Sequence, residues 1–255
     1  MTTKTTRVLG LEFFAGTTLE AVRLARKGGL IVAPPGPCLA TLVTDHQYRI
    51  SLENADLILV DSGYLAILCR LFLHTRLTRI SGLEFLETLL SDEHFRNSRK
   101  LWVDPSEEEG ATNRRHLTRI GIRVTVDDSY VAPLYTPGLA KDEALLQRIR
   151  DDRPDYVIIN IAGNKQEPLG HHLKQNLESP PALVCTGAAI AFLSGKQADI
   201  PRWADRLFLG WLARCFVNPG KFIPRYLRAV SLALLVAKYG RSGLPSAQMG
   251  ESQDD

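Results

Sequence analysis

The chain has 255 residues, 45% of them hydrophobic and 23% charged, with a formal net charge of +3. Those are ordinary values for a soluble globular protein, enough for one large α/β domain or two modest ones. No apolar run approaches the roughly 20 residues that span a bilayer, and Met-Thr-Thr-Lys-Thr-Thr-Arg at the start lacks the apolar core of a signal peptide. Cys38, Cys69, Cys185 and Cys215 lie far apart without a CxxC, so reduced, buried thiols are expected rather than a disulfide framework.

In chain order, helix and strand patterns alternate. The spacing predicts a helix over about Thr18–Lys27, a strand at Gly29–Ala33, a Pro-Pro-Gly-Pro turn and a helix near Cys38–Asp45. A strand at Asp56–Val60 ends on Asp61-Ser62-Gly63, and apolar helices follow at about Tyr64–Leu73 and Leu83–Leu90. Lys100–Val103 reads as a strand, and Ser106 with Glu109 matches a capping box at a helix start. Arg123–Val126 is an expected strand and Asp142–Arg150 a helix. The run Tyr156–Ile161 has five apolar or aromatic residues in six, which predicts a strand buried on both faces. A helix near Leu169–Asn176, a strand at Ala182–Thr186 and a short segment ending at Ser194-Gly195 complete the rhythm. Such alternation predicts an α/β fold: a Rossmann-like, largely parallel sheet with helices on both faces.

From Ile200 arginine, tryptophan and apolar residues intermix, which predicts a helical appendage over 196–242 after a core at 1–195. Between Lys196 and Arg241 nine Lys or Arg face two acids, so this segment carries about +7 while 1–195 nearly balances. Residues 243–255 add three acids and read as a disordered tail. A cationic segment implies an anionic partner: phosphate, nucleic acid or an anionic membrane surface. Nucleic acid is not expected, because the charges are mixed with proline and large apolar residues rather than set out as a recognition helix.

The chemistry-bearing positions are few. There is no GxGxxG, Walker loop or GxSxG, and the six histidines have no metal-ligand spacing, so no metal site is expected. Asp61 lies just past an apolar strand, where open-sheet sites form, and a carboxylate there can act as a general base. The same position suits an N-cap for the helix that begins near Tyr64. Gly163–Glu167 follows the central strand. Asn164 and Gln166 could hold sugar hydroxyls through amides that both donate and accept, or the stretch is a plain connection with a solvated Lys-Gln-Glu. Arg202, Arg206, Arg214, Arg225 and Arg228 could pair with phosphate oxygens, and Trp203, Trp211 and Tyr226 among them suit a membrane interface; aromatic packing with a solvated basic face is the alternative.

Three blocks in order resemble the WecG/TagA/CpsF family of bacterial glycosyltransferases (glycosyltransferase family 26). Glu53 through Gly63 is similar to the family's ADLVLPDG, and Pro154-Asp155 through Gly163-Asn164-Lys165-Gln166-Glu167 to its PD…GxPKQE. Ile200-Pro201-Arg202-Trp203, Leu209-Gly210-Trp211, Arg214, Pro219 and Arg225-Tyr226 are similar to its APRW…GLEW…R…P…RRY. The resemblance implies an inverting, metal-independent transfer of a sugar from a nucleotide diphosphate donor to a lipid-linked, undecaprenyl-type acceptor. By the same resemblance that transfer is expected at the inner face of the cell membrane, without a cofactor. By resemblance Asp61 is the catalytic base. Gln166 matches a sugar-site residue of the family; Gly163, Asn164 and Gly187 are expected to bind substrate with it, and Arg202, Arg206, Arg214 and Arg225, which fall in the appendage, to bind the diphosphate. A homo-oligomer is a further expected partner. The chain departs from the family at Ala33-Pro34-Pro35, where a threonine is replaced, and at Gly187 through Phe192, where an aspartate is replaced. Those losses leave a second reading, a non-catalytic nucleotide-sugar-binding or scaffold protein of a polysaccharide assembly complex.

Overall fold

The computed structural model describes residues 4–136, 140–195 and 230–245. One eight-stranded sheet organises them, in the order β1-β2-β4-β3-β8-β7-β5-β6. β1 (Thr5–Val8) and β2 (Leu11–Phe14) form an antiparallel hairpin at one edge. Every other pairing is parallel, through β3 (Gly29–Val32), β4 (Leu57–Ile58), β5 (Lys100–Asp104), β6 (Ser129–Val131), β7 (Tyr156–Ile159) and β8 (Ala182–Cys185). The helices are α1 (Thr18–Ala25), α2 (Gly36–Leu39), α3 (His46–Glu53), α4 (Gly63–Phe72), α5 (Gly82–Ser91), α6 (Glu93–Asn97), α7 (Glu107–Arg119), α8 (Glu143–Asp152), α9 (Gln166–Gln175) and α10 (Ala189–Leu193). A further helical stretch occupies 230–239. The α/β, largely parallel architecture expected from the alternation is the one observed.

Strand periodicity divides the core in two. Leu30, Val32, Leu101, Val103, Val157, Ile159, Leu183 and Cys185 face one layer, with α3, α4, α8, α9 and the 230–239 stretch against them. Ile31, Trp102, Tyr156, Ile158, Ala182 and Val184 face the other, covered by α1, α5, α6, α7 and α10. Both faces are apolar because both are covered. Each fully buried large aliphatic or aromatic side chain contributes about 1.5–3 kcal/mol.

From β3 the chain steps outward to β4. It then crosses to β5 and returns through β7 and β8 to finish beside β3. The two halves therefore meet at the β3–β8 seam. Open parallel sheets bind ligands outside the carboxyl ends of their strands at such a seam.

Several boundaries differ from the sequence expectations. The strand expected at Arg123–Val126 is instead β6 at Ser129–Val131. Ile122 and Val124 are buried, but the Thr125 N–H and hydroxyl both donate to Asp128 Oδ2 at 2.7 Å, turning the chain before Ser129 pairs with Trp102. The helix expected near Cys38–Asp45 stops at Leu39. Asp45 then caps α3, accepting from the Tyr48 N–H at 3.0 Å, and α3 itself was not anticipated. No element was expected before Thr18, yet the hairpin is there, turning on Leu9 and Gly10 at φ 54° and 83°. α9 starts at Gln166, three residues earlier than expected. Residues 243–245, assigned from composition to a tail, are packed: Leu244 is buried, and Arg49 donates to the carbonyls of Leu244 (3.0 Å) and Pro245 (2.8 Å). The 230–239 stretch buries Leu232 and Val236 in the first core layer, so it belongs to the core's packing.

Gly28 ends the α1–β3 turn at φ +81°, and a Cβ there would stand 2.4 Å from the Pro180 carbonyl oxygen. Both the left-handed backbone and the backbone contact oppose a side chain. Gly28→Ala is expected to lower unfolding free energy by at least about 2 kcal/mol in urea denaturation. A midpoint equal to that of the wild type would show that this turn relaxes freely.

Candidate active site

The seam gathers the carboxyl ends of β3, β4, β7 and β8. Asp61 leaves β4 half-buried, and the neighbouring Ser62, not Asp61, caps α4 by accepting from the Leu65 N–H at 3.1 Å. Asp61 turns elsewhere. Its Oδ1 accepts from the Gly82 N–H of α5 at 2.9 Å, and its carbonyl accepts from Arg79 Nε at 3.2 Å. Among the described residues Oδ2 has no hydrogen-bond partner. A Cβ on Gly82 would lie 3.1 Å from the Thr186 carbonyl oxygen and 3.4 Å from the Ala33 Cβ. The start of α5 therefore rests on the ends of β3 and β8, and Asp61 is bonded to it at the seam.

The loop after β7 reaches the same seam. Gly163 lies against α2, where a Cβ would meet Cys38 Sγ at 3.0 Å. Asn164 adopts a left-handed φ of 64°, a strained setting for a non-glycine residue. Its Nδ2 donates to Thr41 Oγ1 at 2.9 Å and Asp45 Oδ2 at 3.2 Å, while its buried Oδ1 has no partner. Gln166 is buried and bonded at both ends: Oε1 accepts from the Gly187 N–H at 2.9 Å, and Nε2 donates to Glu167 Oε1 at 3.1 Å. Gly187 sits at φ +62°, which presents its N–H to the amide at low cost. The four expected substrate-binding residues are thus brought together, with the amides of Asn164 and Gln166 clasping α2–α3 and the end of β8. The solvated reading of this stretch is overturned for Gln166 and Glu167, which form the buried first turn of α9.

Glu167 was not singled out from the sequence. It is fully buried, accepts from the Asn164 N–H at 2.9 Å and from Gln166, and burial pushes its carboxyl up to about 7. The hydrogen bonds oppose that rise and the nearby Asp45 charge adds to it. Burial, then the charge of Glu167, raises the Cys185 thiol as well. Tyr48 is fully buried with an unpartnered hydroxyl; burial raises it most, followed by the charges of Glu167, Cys38, Asp45 and Asp61. Its hydroxyl therefore lies within electrostatic reach of the Glu167, Asp45 and Asp61 carboxylates. The cue available in the sequence was the glutamate opening an apolar helix, a position that normally reads as a solvated first-turn acid.

Farther along the edge, fully buried Asp104 ends β5 and accepts from Asn113 Nδ2 (2.8 Å) and Asn160 Nδ2 (3.0 Å). Burial raises its carboxyl above the ordinary range. The structural reading of the adjacent Glu run holds: Ser106 caps α7, accepting from the Glu109 N–H at 3.2 Å. Surface depressions also lie over Arg114, Arg115 and Arg119 and beside Ser98–Lys100. Neither is at the carboxyl edge that carries Asp61. Among the described residues no group of His, Cys, Asp or Glu could hold a metal ion. Arg202, Arg206, Arg214 and Arg225 lie outside the described residues.

The fold is an open-sheet α/β one, with the Asp61 carboxylate on the carboxyl edge of its strands. The chain belongs to the glycosyl transferase WecG/TagA/CpsF family, whose model matches residues 6–244, and it is a glycosyltransferase. It is 23% identical over 221 residues to N-acetylglucosaminyldiphosphoundecaprenol N-acetyl-beta-D-mannosaminyltransferase of Bacillus subtilis (strain 168), covering 83% of each chain. It is 21% identical over 221 residues to the protein of the same name from Staphylococcus aureus (strain MRSA252), covering 83% of this chain and 84% of the relative.

Proposed function

We propose that the protein is an inverting N-acetylhexosaminyltransferase that moves a sugar from a nucleotide diphosphate donor to a lipid-linked sugar diphosphate at the inner membrane face. The relatives named above, whose name describes N-acetylmannosaminyl transfer to N-acetylglucosaminyldiphosphoundecaprenol, support the acceptor class. The observation that carries the reading is Asp61: Oδ1 is held by the Gly82 N–H and Oδ2 is left for a substrate proton. In the proposed step Oδ2 takes the proton of the acceptor hydroxyl as its oxygen bonds to the donor's anomeric carbon. The bond from that carbon to the diphosphate breaks on the opposite face, and the electron pair leaves with the diphosphate. Arg202, Arg206, Arg214 and Arg225 are proposed to neutralise its charge. The Gln166–Gly187 clasp would fix the floor under the donor sugar.

The test is incubation with nucleotide diphosphate-linked N-acetylhexosamines and a prenyl diphosphate-linked N-acetylglucosamine. We expect a product one N-acetylhexosamine heavier, with the anomeric configuration opposite to the donor's by NMR. Absence of both transfer and nucleotide-sugar binding across the donor panel would instead favour the scaffold reading.

A further inference from the structure

Two polar groups at the ligand edge of the sheet have no partner. Among the described residues Asn160 Oδ1 and Thr186 Oγ1 are buried without a hydrogen bond. Each residue is 7% exposed, and no step proposed above uses either. Buried polar groups in folded proteins nearly always find a partner, so two orphans together call for a cause.

The sheet register puts them side by side. Ile159 pairs with Cys185, and Asn160 and Thr186 are the next residues after β7 and β8. Alternation turns both toward the face of Ile158 and Val184, the layer of α5, α7 and α10. The contacts agree. A Cβ on Gly82, at the start of α5, would lie 3.4 Å from the Thr186 Cβ. Asn160 Nδ2 donates to Asp104 Oδ1 at 3.0 Å, and the same oxygen accepts from Asn113 of α7 at 2.8 Å. The pair therefore stands on the carboxyl edge, and Gly82, whose N–H holds Asp61 Oδ1, rests on one member of it.

Their hydrogen-bonding roles are fixed. Asp104 Oδ1 accepts, so it takes the Asn160 NH2 and leaves the amide oxygen over as an acceptor. Thr186 can donate. Side chains opposite each other on adjacent strands stand about 4.8 Å apart. One oxygen bonded to both at about 2.8 Å and a tetrahedral angle spans about 4.6 Å. A trans amide spans considerably more, because its N–H and C=O point opposite ways. An ionised phosphate brings acceptors alone and would oppose the Asn160 oxygen. A hydroxyl fits: it accepts from Thr186 and donates to Asn160.

We infer that Asn160 and Thr186 form a subsite for one hydroxyl of the nucleotide sugar, on the edge that carries Asp61. The ligand enters through the turn from Thr186 into α10, whose closing hydrogen bond, Ala189 N–H to the Thr186 carbonyl, is long at 3.4 Å. Both polar atoms are closed off from water, so a donor lacking the hydroxyl leaves them unpaired, and selectivity follows from that. The subsite rests on the transfer reaction proposed above. The hydroxyl belongs to the sugar or to the ribose, and the test separates the two.

Thr186→Val is nearly isosteric and removes the hydroxyl, whereas Thr186→Ser keeps it. With a nucleotide diphosphate N-acetylhexosamine, Thr186→Val is expected to lower kcat/KM about ten- to a hundredfold, and Thr186→Ser to recover most of the loss. The proteins are then compared on donors lacking the 3-, 4- or 6-hydroxyl of the sugar or the 2′- or 3′-hydroxyl of the ribose. On one of these donors wild type and Thr186→Val should have similar kcat/KM, because the contact is already missing, and that donor names the hydroxyl. Thr186→Val should also melt at or above the wild-type temperature, since it removes an unpaired buried group.

An equal loss on every donor overturns the subsite and makes Thr186 a structural residue. So does an unchanged kcat/KM on the intact donor, or a water that stays between Asn160 and Thr186 in a crystal structure with donor bound. Those outcomes leave sugar transfer standing. A wild type that turns over no donor of the panel overturns the transfer reading, and the subsite with it.

Discussion

Asp61→Asn is expected to lower the transfer rate by about a hundred- to ten-thousand-fold, the range lost with a general base, while the protein stays folded. Asparagine is the informative replacement. Its Oδ1 still accepts from the Gly82 N–H at the start of α5, so the seam between α5, β3 and β8 keeps its geometry. What it loses is the basicity of the second oxygen. Asp61→Ala is a different experiment: it strands the buried Gly82 N–H, at about 1–3 kcal/mol. The two substitutions should therefore match in rate and differ in melting temperature. Rate measurements under donor saturation with both variants, beside thermal melts, check this. Near-normal turnover by Asp61→Asn would sink the base assignment.

The second large effect is on stability and comes from Glu167. Its ordinary value is 4.5, and burial carries it to about 7 in the folded protein. The folded state therefore binds this proton more tightly than the unfolded chain does. The resulting stabilisation is complete below about pH 4.5, declines as pH rises, and is gone above about pH 7. The shift corresponds to about 3 kcal/mol across that window. Glu167→Gln removes the titration, so its stability relative to wild type should rise by about that amount between pH 4.5 and 8.5. Urea denaturation of both proteins at the two pH values measures the difference. An offset that does not change with pH would mean that Glu167 titrates normally.

The same carboxyl accepts the Asn164 N–H and the Gln166 amide, and Gln166 in turn holds Gly187. Protonation exchanges one acceptor for a donor. The hydrogen bonds of this clasp are therefore expected to change as Glu167 titrates.

Much of the fold was legible because its cause is local. The all-apolar runs at β3, β7 and β8 report burial on both faces, and the Ser106 cap writes the start of α7 into one residue. The hairpin β1–β2 escaped because its turn is Leu9-Gly10, without the usual Asn-Gly signal. β6 was misplaced because Ile122 and Val124 are buried without joining a ladder; apolarity reports burial, and strand pairing is decided by the partner.

At the site, the sequence by itself marked Asp61 and the Gly163–Glu167 turn, because each follows an apolar strand whose carboxyl end must open on a ligand edge. It left open whether Asp61 was a helix cap. Only the tertiary structure decided that, by giving the cap of α4 to Ser62 and bonding Asp61 to α5, twenty-one residues away. It also decided that Gln166 reaches Gly187 and that Glu167 is closed off from water. Those outcomes depend on which strands become neighbours. β3 and β8 are distant in sequence and adjacent in the sheet, and the burial and electrostatics of the groups between them exist only once the two halves have met.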